Sequence, residues 1–139
     1  ASYCAAMHLL KPRVLRSGDT LMAVTQSWRG PATYPQRYEA GKHQFEQEFG
    51  VRVKEAPHAL RDAAWIARNP QARADDLMQA FADPSVAGIV STIGGDDAIR
   101  LMRFVDLDQI RSHPKIFLGF SDANVVNMMC LQAGLVSFS

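Results

Sequence analysis

The sequence predicts an α/β fold, a parallel sheet flanked by helices, from two observations. Apolar runs of strand length alternate with stretches of helical spacing, and each run is continuous rather than alternating, as in strands covered on both faces. The chain also has the size for it: 139 residues, 47% apolar and 21% charged, is one globular domain that buries a real core.

Each element has its own reason. Residues 1–10, "ASYCAAMHLL", are mildly apolar but lack the charged and hydrophobic regions of a signal peptide, so they are read as an N-terminal extension and 11–139 as the domain. "DTLMAVTQS" has the apolar density and β-branching of a first strand, and "WRGPATYP", with one Gly and two Pro, is expected as a loop. "QRYEAGKHQFEQEFG" puts Tyr38, Phe45 and Phe49 on one helical face and stops at Gly50, suited to a left-handed C-terminal position; the three aromatics are expected in the core. "VRVKEA" is a short strand. Residues 57–71 are polar and aperiodic, a long surface connection with Trp65 packed beneath it. "ARADDLMQAFADP" places Leu77, Met78 and Phe81 at helical spacing and closes at Pro84.

"VAGIVSTIGG" is a buried strand entering a glycine pair, followed by the helix "DDAIRLMRF" and a second short helix, "DLDQIRSH", cut off by Pro114. "KIFLGF" is the next strand. "NVVNMMCLQAG" is a helix apolar nearly all round, which implies burial on more than one side and puts Met128 and Met129 in the core. "LVSFS" is expected as a last strand.

Bulk properties narrow the function. A net charge of +1 gives no field suited to nucleic acid or an anionic membrane, and no run approaches the ~18 apolar residues of a membrane span. Two distant cysteines, Cys4 and Cys130, fit free thiols in a reducing, cytoplasmic setting. His8, His43, His58 and His113 share no metal-ligand spacing, and no phosphate-binding glycine motif occurs, so neither metal nor cofactor is expected.

The informative corners are "IGGDD" and "GFSD", both at carboxyl ends of strands, where parallel sheets carry their ligand groups. By spacing alone Ser121 is a helix N-cap, a role worth ~1 kcal/mol. The alternative is a nucleophile lifted clear of the sheet on a sharp turn, with the Asp122 N–H aimed at an oxyanion, although "GFSDA" lacks the second glycine of G-x-S-x-G. Gly94 and Gly95 either expose N–H groups to a ligand or make a tight turn, followed by Asp96 or Asp97 capping the helix of Ile99 to Phe104. Trp28, just after the first strand, is placed to wall a substrate pocket. No histidine has a local claim to be the base for Ser121.

The segments "LRSGDTLMAVTQSW", "VAGIVSTIGGDDAIRLM", "DLDQIRSHPKIFLGFSDANVV" and "QAGLVSFS" together resemble the N-terminal domain of the LD-carboxypeptidase family of serine peptidases, from Lys11 to Ser139. "GGDD" leans toward the branch containing microcin C self-immunity proteins. The resemblance implies a flavodoxin/Rossmann-like N-terminal nucleophile domain of a two-domain enzyme. In it Ser121 is the nucleophile, Asp122 and the Gly94–Gly95 corner supply oxyanion donors, and Asp96 and Trp28 contact substrate. The base, a His supported by a Glu, belongs to a C-terminal domain absent from these residues. The implied substrate is a murein-derived peptide or a peptidyl- or aminoacyl-nucleotide-like molecule, and the implied assembly a homodimer. Ala123 and Asn124 stand where hydroxyl residues are usual and Arg29 enlarges the loop after Trp28, departures that bear on substrate preference. The competing expectation is a non-catalytic α/β domain whose strand-end glycines and Ser121 bind an anionic small molecule.

Overall fold

The computed structural model describes residues 8–139; Cys4 and most of the expected extension lie outside the described residues. Four parallel strands form one sheet: β1 (Thr20–Val24), β2 (Arg52–Glu55), β3 (Gly88–Ser91) and β4 (Ile116–Leu118), in the order β2-β1-β3-β4. The register sets Leu21 beside both Val53 and Gly88, and Ile89 beside Phe117. The α/β parallel sheet flanked by helices is therefore present as expected.

Topology decides what covers each face. The chain leaves β1 toward β2 on one side and returns to β3 and β4 on the other, so right-handed crossovers place the intervening helices on opposite faces. One face carries α4 (Pro70–Ala82), α5 (Leu107–Ser112) and α6 (Asn124–Gln132), and the core lies there, where Leu77, Phe81, Ile110 and Val126 pack on Met22, Val24, Ile89 and Phe117. Cys130 is buried in it, and desolvation pushes its thiol up to about 12. The other face carries α2 (Pro35–Phe49), preceded by a single turn, α1 (Gly30–Thr33).

Several elements differ from the sequence reading. α2 ends where expected, at Gly50 with φ +62°, but buries none of its residues: Tyr38 and Phe45 are half-buried and Phe49 is 58% exposed. The stripe lies against the β1–β2 side of the sheet, and no helix follows it across β3 and β4, so Val90, Ile116 and Leu118 stay half-exposed. That face is covered only in part, not fully as the continuous runs suggested. α1 forms inside the expected loop because its Pro sits in the first turn, where no N–H is missed. The expected surface connection contains α3 (Ala63–Arg68), started by Asp62, whose carboxylate accepts the Trp65 N–H at 2.9 Å; Trp65 stacks on His58 at 4.6 Å. Residues Ala98–Phe104 wind as a 3-10 helix. α6 buries Val126, Met129 and Cys130, while Met128 is 59% exposed, so the helix is buried on one side only. "LVSFS" makes single bridges, Leu135 to Leu10 and Phe138 to Leu118, in place of a full strand. Among the described residues no helix is long and apolar enough to cross a membrane, and no three metal-binding side chains cluster.

Candidate active site

β4 ends at Leu118, and three residues later the chain turns sharply at Ser121, whose φ is +61°. It is the only non-glycine residue among the described residues with positive φ. An L-residue held there stores on the order of 1–3 kcal/mol. The hydroxyl caps no helix: the 3-10 turn Ser121–Ala123 and α6 begin at Phe120 and Ala123 without side-chain caps. The N-cap alternative is thus not realised, and the exposed side chain stands free at the carboxyl edge of the sheet.

The glycine corner meets it. A Cβ on Gly94 would lie 2.7 Å from Ser121 Cβ, 2.9 Å from Ser121 Oγ and 3.3 Å from the Asp122 nitrogen. The narrow gap between Gly94 and Ser121 is therefore one that only a glycine allows. Gly95, at φ +152°, packs where any Cβ would overlap the Ser27 hydroxyl and approach Trp28 Cβ at 3.0 Å. The Gly94 carbonyl accepts the Trp28 N–H at 3.2 Å, tying the loop after β1 to the corner. None of the hydrogen bonds among the described residues uses the N–H of Gly94 or Gly95.

The Asp122 side chain looks away from this gap, into the scaffold. Its Oδ2 accepts the Ser27 hydroxyl at 2.5 Å and the N–H groups of Asp97 and Ala98 at 2.9 and 2.8 Å. Partial burial pushes the carboxyl up, but the hydroxyl, the two N–H donors and the Arg73 charge outweigh it and hold Asp122 below the ordinary carboxylate range. Asp97, expected as one of two possible caps, heads the 3-10 helix without capping it and instead pairs with Arg73 and Arg100. Arg73, fully buried on α4, also donates to the Gln26 carbonyl at 2.7 Å.

Trp28 and Asp96 line one side of a cavity of about 180 Å³ beside the corner, with Ser27, Arg29, Ile66 and Asp97. The Arg29 guanidinium lies 4.9 Å over the Trp28 ring. Two histidines are engaged elsewhere, His58 with Nδ1 2.9 Å from Asp76 and His113 with Nδ1 2.9 Å from the Gln109 carbonyl, and no described imidazole hydrogen-bonds Ser121. Sequence reasoning missed Ser27 and Arg73. A signal for Arg73 existed: it falls four and eight residues before Leu77 and Phe81, on the apolar stripe of α4, where a charged side chain requires a buried partner.

A strained serine turn and a glycine corner thus meet at the carboxyl edge of a parallel α/β sheet, where such sheets carry their ligand groups. Residues 22–139 match the LD-carboxypeptidase N-terminal domain, and the chain belongs to that family. It is 31% identical over 130 residues to a probable murein peptide carboxypeptidase of Bacillus subtilis, covering 92% of this chain and 39% of the relative. A putative carboxypeptidase of the same organism, YocD, is 36% identical over 94 residues, 67% of this chain and 29% of its own. The structure of the microcin C7 self-immunity protein MccF in complex with aspartyl sulfamoyl adenosine superposes with a TM-score of 0.81 at 28% identity, covering 93% of this chain and 38% of that one; MccF is a protein of Escherichia coli. The chain thus spans between about three tenths and two fifths of the length of these relatives.

Proposed function

We propose that this chain is the nucleophile-bearing N-terminal domain of a cytoplasmic serine carboxypeptidase or amidase that cuts an amide bond in murein-derived peptides or in peptidyl- or aminoacyl-nucleotide-like molecules. The observation that carries the reading is the close approach of Gly94 to Ser121, which supports a strained, uncapped serine and the unengaged N–H groups of the glycine corner acting on one substrate carbonyl. The relatives supply the substrate classes: one is named for murein peptides, and MccF has been seen with an aminoacyl sulfamoyl nucleoside.

In the proposed reaction Ser121 Oγ attacks the amide carbon while a base takes its proton. The carbonyl oxygen becomes an oxyanion held by the N–H of Asp122 and a donor from the Gly94–Gly95 corner. The C–N bond then breaks as the base returns its proton to the leaving amine, and water releases the acyl group by the same steps in reverse. Trp28 and Asp96 contact the bound molecule from the neighbouring cavity. The base, a His oriented by a Glu, comes from a C-terminal domain of the parent protein, which works as a homodimer.

The test uses the full-length parent on an LD-linked tetrapeptide and on an N-acyl amino-acid amide, with Ser121→Ala alongside. Loss of turnover by more than ~10³-fold in Ser121→Ala is expected, the scale on which serine-protease nucleophiles contribute. A fluorophosphonate probe should attach to Ser121 in the wild type. Binding of both compounds without turnover or labelling would establish the non-catalytic small-molecule domain instead.

A further inference from the structure

We infer that the Asp122 side chain is a positioning residue: its carboxylate latches the glycine corner to the serine turn and so sets the oxyanion gap. The inference rests on the serine-peptidase reading above and deepens it by giving Asp122 a role for its side chain besides that of its N–H. Three segments separated in sequence converge on one oxygen. Ser27 follows β1, Asp97 and Ala98 follow the glycine corner, and Asp122 follows Ser121 directly.

The consequence is geometric. Gly94 lies three residues before Asp97, and its position against Ser121 depends on where Asp97 is held. Asp97 is gripped at its N–H by Asp122 and at its carboxylate by the buried Arg73. Arg73 in turn is anchored on the Gln26 carbonyl, one residue before Ser27. The resulting circuit, Ser27 to Asp122 to Asp97 to Arg73 to Gln26, closes on itself around the corner. A carboxylate that accepts three donors fixes them more firmly than a neutral group, because charge-assisted hydrogen bonds are roughly twice as strong. A neutral amide at position 122 keeps the shape but cannot accept all three donors on one charged oxygen. The corner would then loosen, and with it the alignment of the Gly94–Gly95 donors to the oxyanion.

In the full-length parent, Asp122→Asn is expected to lower kcat about 100-fold, the cost of roughly 1 Å of misplacement at a reacting centre, with KM changed less than threefold. Its rate of phosphonylation should fall in parallel, since that reaction uses the same oxyanion donors. Ser27→Ala, which removes one of the three donors and changes little volume, should show the same pattern at about tenfold. This second variant decides the matter if Asp122→Asn does not fold. Either variant folding normally with kcat within threefold of wild type would overturn the latch, as would a loss confined to thermal stability or to KM. If Ser121→Ala retains turnover, the serine reading fails and the latch fails with it. If Ser121→Ala is inactive while both other variants are fully active, the latch alone fails.

Discussion

Ser121 is held in a conformation that costs energy and gains no helix cap in return, so the strain has to be borne by its surroundings. At residue scale the surroundings are two glycines with different duties. Gly95 needs its backbone conformation, φ +152°, as well as space. Gly94 is outside the left-handed region and needs space alone. An alanine there is tolerated by the backbone and rejected by its neighbour, because its Cβ would lie 2.7 Å from Ser121 Cβ. We expect Gly94→Ala in the full-length parent to keep a native circular dichroism spectrum and to lose kcat about 100-fold, as the serine is pushed from line. Wild-type kcat in a folded Gly94→Ala protein would show that the gap is wider in solution than the contact implies.

At the scale of elements, the Lys115 side chain at the head of β4 is nine-tenths buried, although the sequence shows only a lysine before an apolar run. Its ammonium donates to the carbonyls of Ala80, at 2.9 Å, and Asp83, closing the carboxyl end of α4, and burial pulls its pKa below the usual lysine range. Lys115→Met keeps the volume and strands the Ala80 carbonyl, while the Asp83 carbonyl keeps the Val86 N–H at 3.1 Å, so denaturant unfolding should show a loss of about 1–3 kcal/mol; an unchanged midpoint at unchanged slope would contradict the cap. The order of strands and main helices was legible because each apolar run is long enough to show its period. The short pieces α1 and α3 were not, since their helicity comes from a first-turn proline and the Asp62 cap rather than from an apolar stripe. The exposure of Phe49 was hidden too: spacing shows which face of α2 is apolar, but not how far the sheet beneath it is covered. In the site, both corners were visible as polar residues after strands. The cap on Asp97 and Ala98 was not, because it comes from Asp122, twenty-five and twenty-four residues away, and such a bond leaves no local pattern.

At the scale of the whole molecule, apolar surface goes with the proposed need for a base from outside these residues. Val90, Ile116 and Leu118 are half-exposed on one sheet face, and Phe120, beside Ser121, is 76% exposed. With no described imidazole bonded to Ser121, the isolated 139-residue chain is expected to be inactive on both test substrates and to self-associate, as contiguous apolar patches do. Size-exclusion chromatography with light scattering, beside an activity assay, checks both halves. Turnover by the isolated chain that disappears in Ser121→Ala would mean that one of its own histidines is the base. The meeting of Gly94 and Ser121 has one more consequence, for the life of the chain before it is folded. The two residues approach only because β3 and β4 are paired, in the register that sets Ile89 beside Phe117. On an emerging or half-unfolded polypeptide the serine is an ordinary alcohol, with no strain and no donors facing it. In the full-length parent, reactivity toward a phosphonate would therefore appear late during refolding, only after the sheet has closed and the proposed base has come to Ser121.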